Sequence, residues 1–172
     1  TSCELSPFRH LSAGDSYTCG IRRSDDQIVC WGDDSSGQAS GVPGATRFEA
    51  VSSAMHHSCG IRQTDGQVVC WGDDSHGKVS GAPLGVAFDA VSAAAFSNGA
   101  AYLGYTCGIR RSDGHLVCWG PEWSDQVSGA PEGMAFDAVS TGDVVACAIR
   151  RSDDNAVCWG PSWSTVPGQE PD

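Results

Sequence analysis

Cysteine is the residue with the clearest chemical pattern in this chain of 172 residues, which contains nine of them. Eight fall into pairs of identical spacing: Cys19/Cys30, Cys59/Cys70, Cys107/Cys118 and Cys147/Cys158. Paired cysteines form disulfides or bind zinc, but zinc sites usually show short spacings such as Cys-x2-Cys. Ten residues separate the members of each pair here, and no histidine repeats beside them. We therefore favour four disulfides over zinc, each bridge joining the two cysteines of one pair.

The ninth cysteine, Cys3, has no partner in this pattern. In a secreted protein an odd cysteine indicates an intermolecular bridge or a free thiol. A buried or capped Cys3 is the alternative. Because disulfides persist in oxidising compartments, the cysteine pattern predicts a secreted, extracellular protein. No charged and then apolar leader opens the chain at Thr1, so we expect the processed form of an exported protein.

Histidine is the other residue type that could supply a base or a metal ligand. The five histidines are His10, His56, His57, His76 and His115. His56 and His57 precede Cys59, but no third ligand or nucleophile motif accompanies them, so we expect both in a surface loop. The motifs Gly-x-Ser-x-Gly and His-Glu-x-x-His are missing, as is a phosphate-binding glycine loop followed by Lys. We predict no enzymatic activity, no catalytic residue, no cofactor and no metal.

The charge of the chain excludes one class of partner. The formal net charge is −11, and Lys78 is the single lysine. Nucleic-acid binding depends on clustered Lys and Arg, so we expect no nucleic-acid partner. Seven of the nine arginines stand next to Asp-containing turns, where local neutralisation is a simpler explanation than an anion site. No apolar run approaches the roughly 18 residues of a membrane helix, so no membrane insertion is expected.

These residues lie in a repeat with a period of 40 residues. Each copy contains Phe-x-x-(Leu/Val)-Ser, then Cys-(Gly/Ala)-Ile-Arg, a turn, and Val-Cys-Trp-Gly. We place the copies at about 8–47, 48–87, 88–135 and 136–172, within one repeat domain spanning 1–172. The third copy has eight extra residues at about 96–103, which we expect to enlarge a loop between strands.

Each copy is predicted to form three short strands. In the second copy, Gln63-Thr64-Asp65-Gly66 has the composition of a tight hairpin turn. Asp26 and Asp154 replace the turn glycine in the first and last copies. Alternation along strands places the two cysteines of a pair across the hairpin, or one step diagonal if a bulge intervenes. The tryptophans that follow the second cysteines, Trp31, Trp71, Trp119 and Trp159, repeat in every copy and are expected to pack between units.

The loops after Trp-Gly differ between the first two copies and the last two. Asp33-Asp34 and Asp73-Asp74 indicate either calcium ligands or turns stabilised by Asp side chains, and the incomplete calcium motif favours turns. The last two copies have Trp123 and Trp163 instead, as either a contact surface or cover for a neighbouring unit. The predicted partner-binding residues are Trp123, Trp163, Phe96, Asn98, Tyr102 and Tyr105.

The repeat resembles a known family. Ser-Ala-Gly-x-x-x-x-Cys-Gly-Ile at 12–21, Val-Cys-Trp-Gly at 29–32 and Gly-Gln-x-Ser-Gly at 37–41 are similar to repeats of the regulator of chromosome condensation superfamily. They resemble its short, cysteine-paired variety from secreted bacterial proteins and the ectodomains of plant crinkly-type receptor kinases. The resemblance implies an all-β propeller-type array of four short, mainly three-stranded antiparallel blades, whereas the family usually forms seven blades.

Four blades leave either a tight ring or an open arc with exposed strand edges. An open arc predicts association of copies, by completion of an eight-bladed ring or by head-to-tail contacts. We expect a non-enzymatic extracellular protein-recognition or self-assembling structural module, whose partner is another protein or further copies of itself. The alternatives are an inhibitor of a secreted hydrolase, by analogy with family members that block β-lactamases, and a lectin that binds glycans through the loop tryptophans.

Overall fold

The computed structural model describes residues 7–97, 102–122 and 125–161. Within these residues, twelve strands form four antiparallel sheets of three strands each, which confirms the predicted fold class. The strands are β1 (Phe8–Ala13), β2 (Tyr17–Arg22), β3 (Ile28–Gly32), β4 (Phe48–Ser53), β5 (His57–Arg62), β6 (Val68–Gly72), β7 (Phe88–Ser97), β8 (Tyr102–Arg110), β9 (Leu116–Trp119), β10 (Phe136–Thr141), β11 (Ala146–Arg150) and β12 (Ala156–Trp159). A short 3-10 helix lies at Ser75–Gly77. No helix in the described part of the chain is long and apolar enough to span a membrane.

Each sheet is one blade, numbered 1 to 4 along the chain, and each carries one of the predicted disulfides. The bonds join Cys19 to Cys30, Cys59 to Cys70, Cys107 to Cys118 and Cys147 to Cys158. The two cysteines of each pair oppose each other directly in the ladder of the outer hairpin. Each bridge therefore closes a local loop in the same register, and the ladder irregularities lie in the inner hairpins instead.

The turns of the outer hairpins require a residue with positive φ. Gly66 has φ +70° in blade 2, and Asp26 and Asp154 have φ +59° at the matching positions of blades 1 and 4. Asp is one of the few side chains that tolerate this left-handed conformation. Before each turn an arginine forms an ion pair with the aspartate three residues later, as Arg22 does with Asp25. The predicted local neutralisation at the hairpin ends is confirmed for these four arginines.

Successive blades pack face against face, with β1, β4, β7 and β10 side by side along the inner edge. Alternation of side chains gives every blade two apolar faces. We call the face with the disulfide and the repeated Ile the back face, and the face with the repeated Phe and Trp the front face. At the boundary of blades 1 and 2, Cys19 and Ile21 of the back face pack on Phe48 and Trp71 of the front face.

The same arrangement forms the cores between blades 2 and 3 and between blades 3 and 4. Trp71, Trp119 and Trp159 are each no more than 6 % exposed, which confirms the predicted packing between units for these three tryptophans. Trp31 is only half-buried and packs on Phe8 of its own blade. The phenylalanine of the front face lies over the small residue of Cys-(Gly/Ala)-Ile in its own blade. A Cβ atom added at Gly60 would lie 2.7 Å from the ring of Phe48, so this position must stay small.

At its described ends, the insertion in the third copy is paired strand and not the enlarged loop that we expected. It lengthens β7 and β8, which stay paired from Ala94 with Tyr105 to Ser97 with Tyr102. In blade 2 the corresponding ladder ends at Ser53 with Ser58. The predicted loop over 96–103 was therefore wrong at 96–97 and at 102–103, which belong to paired strands. Pairing satisfies the backbone hydrogen bonds of these residues.

Candidate functional site

An open cavity of about 400 Å³ lies where the inner hairpins of all four blades converge. Its walls are the turns between the first and second strands, together with the lengthened end of β7. The lining residues are 13–15 from blade 1, 53–55 from blade 2, 93–96 from blade 3 and 141–143 from blade 4. We call it the inner cavity. Every blade contributes to it, so its shape depends on the whole array.

The inner cavity combines carboxylates with apolar and small side chains. Asp15 and Asp143 are exposed, and the cavity is also lined by Met55 and Phe96. Below it, burial together with the charge of Asp143 raises the pKa of Tyr105. A surface of this kind suits a basic or apolar segment of a partner, since carboxylates attract cations and the side chains of Met and Phe adapt to apolar groups.

The predicted partner-binding residues are only partly brought together. Phe96 lines the inner cavity. Tyr105 is 1 % exposed, and its hydroxyl donates to the carbonyl oxygens of Gly142 (2.9 Å) and Val145 (3.2 Å). Tyr105 therefore packs between blades 3 and 4 and is not a surface contact residue, contrary to our expectation. Tyr102 pairs with Ser97 through the backbone. The remaining predicted residues, Asn98, Trp123 and Trp163, lie outside the described residues, as does Cys3.

His57 is not in a surface loop as we expected. It begins β5 and is fully buried. One ring nitrogen, Nε2, lies 3.0 Å from Oγ1 of Thr106 in the next blade. Burial lowers the pKa of His57 to about 3, with a smaller contribution from the charge of Lys78. The repeat alignment indicates this contact with the next blade. His57 occupies the position of Tyr17 and Tyr105, whose hydroxyl groups also bond to the following blade.

The acidic loops that follow Trp-Gly use their carboxylates for internal bonds. The Oδ1 atom of Asp34 accepts from the backbone N–H groups of Ala39 (2.9 Å) and Ser40 (2.8 Å), and Asp74 does the same in blade 2. These contacts confirm the turns stabilised by Asp. No group of three potential metal ligands occurs within the described ranges.

Lys78 is part of the same loop in blade 2 and is 2 % exposed. Its Nζ lies 2.5 Å from Oδ2 of Asp73. Burial raises the pKa of Asp73, but hydrogen bonds from Lys78 and Ser75 outweigh it and lower that pKa to about 2. Buried Gln38 and Gln126 occupy the same repeat position in blades 1 and 3, and their backbone carbonyl oxygens accept from the indole N–H groups of Trp71 and Trp159. The loop after Trp-Gly therefore bonds to the next blade at these two boundaries, a role that sequence reasoning missed.

The two ends of the array are more exposed than its internal boundaries. On the front face of blade 1, Leu11 is 59 % exposed, whereas Val51 at the same repeat position of blade 2 is 3 % exposed. On the back face of blade 4, Ile149 is 36 % exposed, whereas Ile61 of blade 2 is fully buried. A groove of about 140 Å³ beside Ile149 is lined by residues 138–140 and 147–149. These two end faces are the second candidate surface.

Comparison with known proteins confirms the resemblance given by the repeat motif. Residues 8–38 and 56–78 match the family model described as the regulator of chromosome condensation (RCC1) repeat. No curated protein matches the chain significantly in sequence.

Solved propellers are similar to this chain over most of its length. The ectodomain of the receptor kinase CR4 from Physcomitrella patens is 27 % identical with a TM-score of 0.74, covering 90 % of this chain and 39 % of that one. The CRINKLY WD40 ectodomain of the receptor kinase ACR4 from Arabidopsis thaliana is 28 % identical with a TM-score of 0.71, covering 90 % and 50 %. The chain thus spans half or less of the length of these proteins. Yeast RCC1 (Prp20), solved with Kap60, is 14 % identical with a TM-score of 0.66, covering 93 % and 45 %, and shows the fold alone.

Proposed function

We propose that this chain is a non-enzymatic extracellular module that binds other proteins, including further copies of itself. The observation that carries the proposal is the inner cavity, an open surface built jointly by four blades that each carry their own disulfide. Binding sites formed by turns on a rigid scaffold are typical of recognition proteins. The stapled outer hairpins supply that rigidity here.

Two observations support an extracellular location. The chain has four disulfides, and disulfides form and persist in oxidising compartments. The CR4 and ACR4 structures, which are 27 % and 28 % identical to this chain, are ectodomains of receptor kinases. For this chain we propose secretion, with the oxidised form as the active one.

The chemistry of the inner cavity indicates the kind of partner. Asp15 and Asp143 stand on opposite ends of the array, in blades 1 and 4, and both are exposed. The net charge of the chain is −11, which steers basic partners towards it. We propose a protein partner that presents a basic or apolar segment to this surface.

The test measures binding of the oxidised chain to a panel of purified secreted and cell-surface proteins, with a glycan array and a panel of secreted hydrolases in parallel. Reversing the charges with Asp15→Arg and Asp143→Arg is expected to weaken protein binding by at least about tenfold. Glu132→Arg is the matched control, because this exposed carboxylate lies outside the inner cavity and its reversal changes the net charge in the same direction.

Three results would contradict the proposal. Binding to sugars alone would indicate a lectin, and inhibition of one hydrolase without other protein binding would indicate an inhibitor. Equal effects of the cavity variants and the Glu132→Arg control would mean that the inner cavity is not the recognition surface.

A further inference from the structure

Every internal boundary between blades has the same polar contact beside its apolar core. The hydroxyl of the serine in Phe-x-x-(Leu/Val)-Ser accepts a backbone N–H from the first strand of the next blade. The pairs are Ser12 with Ser53 (2.9 Å), Ser52 with Ala93 (2.9 Å) and Ser92 with Thr141 (3.0 Å). Blade 4 carries the fourth such serine, Ser140, which is exposed. The matching donor position in blade 1 is Ala13, also exposed.

A charged contact also links blades 2 and 3. The Arg111 guanidinium bonds to Asp89 of its own blade (2.7 Å) and to Glu49 of the preceding blade (2.5 Å). At this boundary the earlier blade supplies the carboxylate of Glu49, and the later blade supplies the guanidinium of Arg111.

The end faces carry the two halves of this charged contact. Blade 4 has Asp137 at the position of Glu49, and blade 1 has Arg23 at the position of Arg111. Blade 1 has Arg9 where blade 3 has Asp89, and Arg9 bonds to Asp26 of its own blade (2.8 Å) and donates to the carbonyl oxygen of Phe48 in blade 2. Arg23 is exposed and donates to the carbonyl oxygen of Phe8 (3.1 Å). Asp137 bonds to Arg151 of its own blade (2.6 Å), and half of its side chain is exposed. Blade 4 thus presents a partly exposed carboxylate at the place where blade 1 presents Arg23.

The apolar parts of the end faces match as well. Internal back faces offer a buried disulfide and isoleucine, and blade 4 offers Cys147 and Ile149 in a partly open groove. Internal front faces offer phenylalanine and tryptophan, and blade 1 offers Phe8 and Trp31, whose ring centroids are 5.5 Å apart. Leu11 adds an apolar side chain that is 59 % exposed.

We infer that the back face of blade 4 binds the front face of blade 1 in a second copy of this chain, repeating the contact that joins blades within one chain. The inference rests on the self-recognition part of the proposed function and names its surface. Two copies that contact each other through both pairs of end faces form a closed pair of eight blades, and this is the assembly that we propose.

The first experiment measures the mass of the oxidised chain by light scattering from micromolar to millimolar concentration. We expect a pair of copies, and we expect Leu11→Asp and Ile149→Asp each to weaken association by at least about tenfold. Leu84→Asp is the matched control, because Leu84 is 91 % exposed and lies in a loop of blade 2 away from both end faces. Far-UV circular dichroism checks that each variant is folded.

A charge exchange tests the register of the contact. Arg23→Asp and Asp137→Arg are each expected to weaken association, because each places like charges opposite one another. The double variant in one chain restores opposite charges at both contacts and is expected to recover association. Oligomers that none of these charge changes affect would overturn the inference but not the proposed function.

Cross-linking tests the direction of the contact. In a Cys3→Ser background, Ala13→Cys and Ser140→Cys are prepared as separate proteins and treated with a short thiol-reactive linker. The mixture is expected to give cross-linked pairs, and each protein alone is expected to give none. Cross-links within either single preparation would mean head-to-head or tail-to-tail contact. A chain that stays monomeric at millimolar concentration would overturn the inference, while retention of binding to another protein would leave the recognition function in place.

Discussion

Phe8 and Phe88 occupy the same position of the repeat in two different surroundings. Phe88 is fully buried between blades 2 and 3, whereas Phe8 is half-buried on the front face of blade 1. Both rings pack on the tryptophan of their own blade, at centroid distances of 5.5 Å for Phe8 and 5.9 Å for Phe88. The difference therefore comes from the preceding blade. Identical repeat residues contribute differently because stability in such arrays depends on nearest-neighbour contacts.

The largest expected effect is at this phenylalanine. Phe88→Ala removes a fully buried ring and should lower the free energy of unfolding by about 3 to 5 kcal/mol. Phe8→Ala removes a ring that solvent already reaches and should cost about 1 to 2 kcal/mol. Urea denaturation of the oxidised proteins, at concentrations where light scattering shows monomers, measures both values.

Equal losses for the two alanine variants would contradict this account of the boundaries. A small loss at both positions would mean that the core between blades 2 and 3 contributes little. A large loss at both would mean that Phe8 is covered as completely as Phe88.

The disulfides should give the next largest effect. Two double variants each remove one disulfide: Cys59→Ala with Cys70→Ala in blade 2, and Cys147→Ala with Cys158→Ala in blade 4. The two disulfides have the same sequence separation, 11 residues. In the chain-entropy model each opening costs about 2 to 4 kcal/mol. The pair in blade 2 should cost about 1 kcal/mol more, because Cys59 is fully buried and Cys147 is only partly buried.

Urea denaturation compares the two double variants, with single-site Ser24→Ala as a control for an exposed change in an outer hairpin. If the end blade loses more than blade 2, packing of the sulfur atoms against the next blade does not explain the difference.

Much of the architecture follows from the repeat alone. The spacing of Cys19 and Cys30 predicts the bridged hairpin, and the recurrence of Trp71 in every copy predicts its burial. These predictions hold because a motif that returns in each copy reports the contact that each copy makes. Predictions from the repeat motif are therefore most accurate for the contacts between blades.

The candidate site could not be predicted in the same way. The inner cavity is lined by residues such as Ala13, Ser53 and Gly142, which stand at the repeat positions that follow Phe-x-x-(Leu/Val)-Ser. They differ in type from copy to copy, and the sequence does not show that the four hairpin turns converge. The lengthened end of β7 begins with three alanines, at 93–95, whose pattern does not reveal which faces are buried. The role of His57 follows from its repeat position, which it shares with Tyr17, and not from the chemistry of its imidazole.

His57 predicts a pH effect that belongs to one internal boundary. The folded-state pKa is lowered to about 3 by burial, while an unfolded histidine titrates near 6.5. As the pH falls below 6.5, the unfolded chain binds a proton that the folded chain excludes, so stability decreases. The free energy of unfolding should fall by about 1.4 kcal/mol per pH unit, or about 2 kcal/mol between pH 8 and pH 5.

The variant His57→Gln isolates this term, because glutamine retains a polar group towards Thr106 and does not titrate. Urea denaturation at pH 8 and pH 5 should show a smaller pH dependence for the variant than for the wild type. His115→Gln is the control, because His115 is half-buried beside a hairpin turn. An unchanged pH dependence in His57→Gln would mean that another group excludes the proton.

The smallest expected effect concerns the charged contact between blades 2 and 3. Glu49 and Arg111 have side chains that are 37 % and 43 % exposed, so their attraction is screened by water and salt. Glu49→Gln should lower the free energy of unfolding by less than about 1 kcal/mol, and added salt should remove the difference. Asp137→Asn at the same repeat position breaks an ion pair with Arg151 whose side chains are half exposed, so it should change monomer stability little. It should weaken association of copies, because Asp137 lies on the end face that contacts the next copy in the proposed pair. If Glu49→Gln and Asp137→Asn affect stability and association alike, the end face of blade 4 is not equivalent to an internal boundary, and the contact proposed between copies loses its charged component.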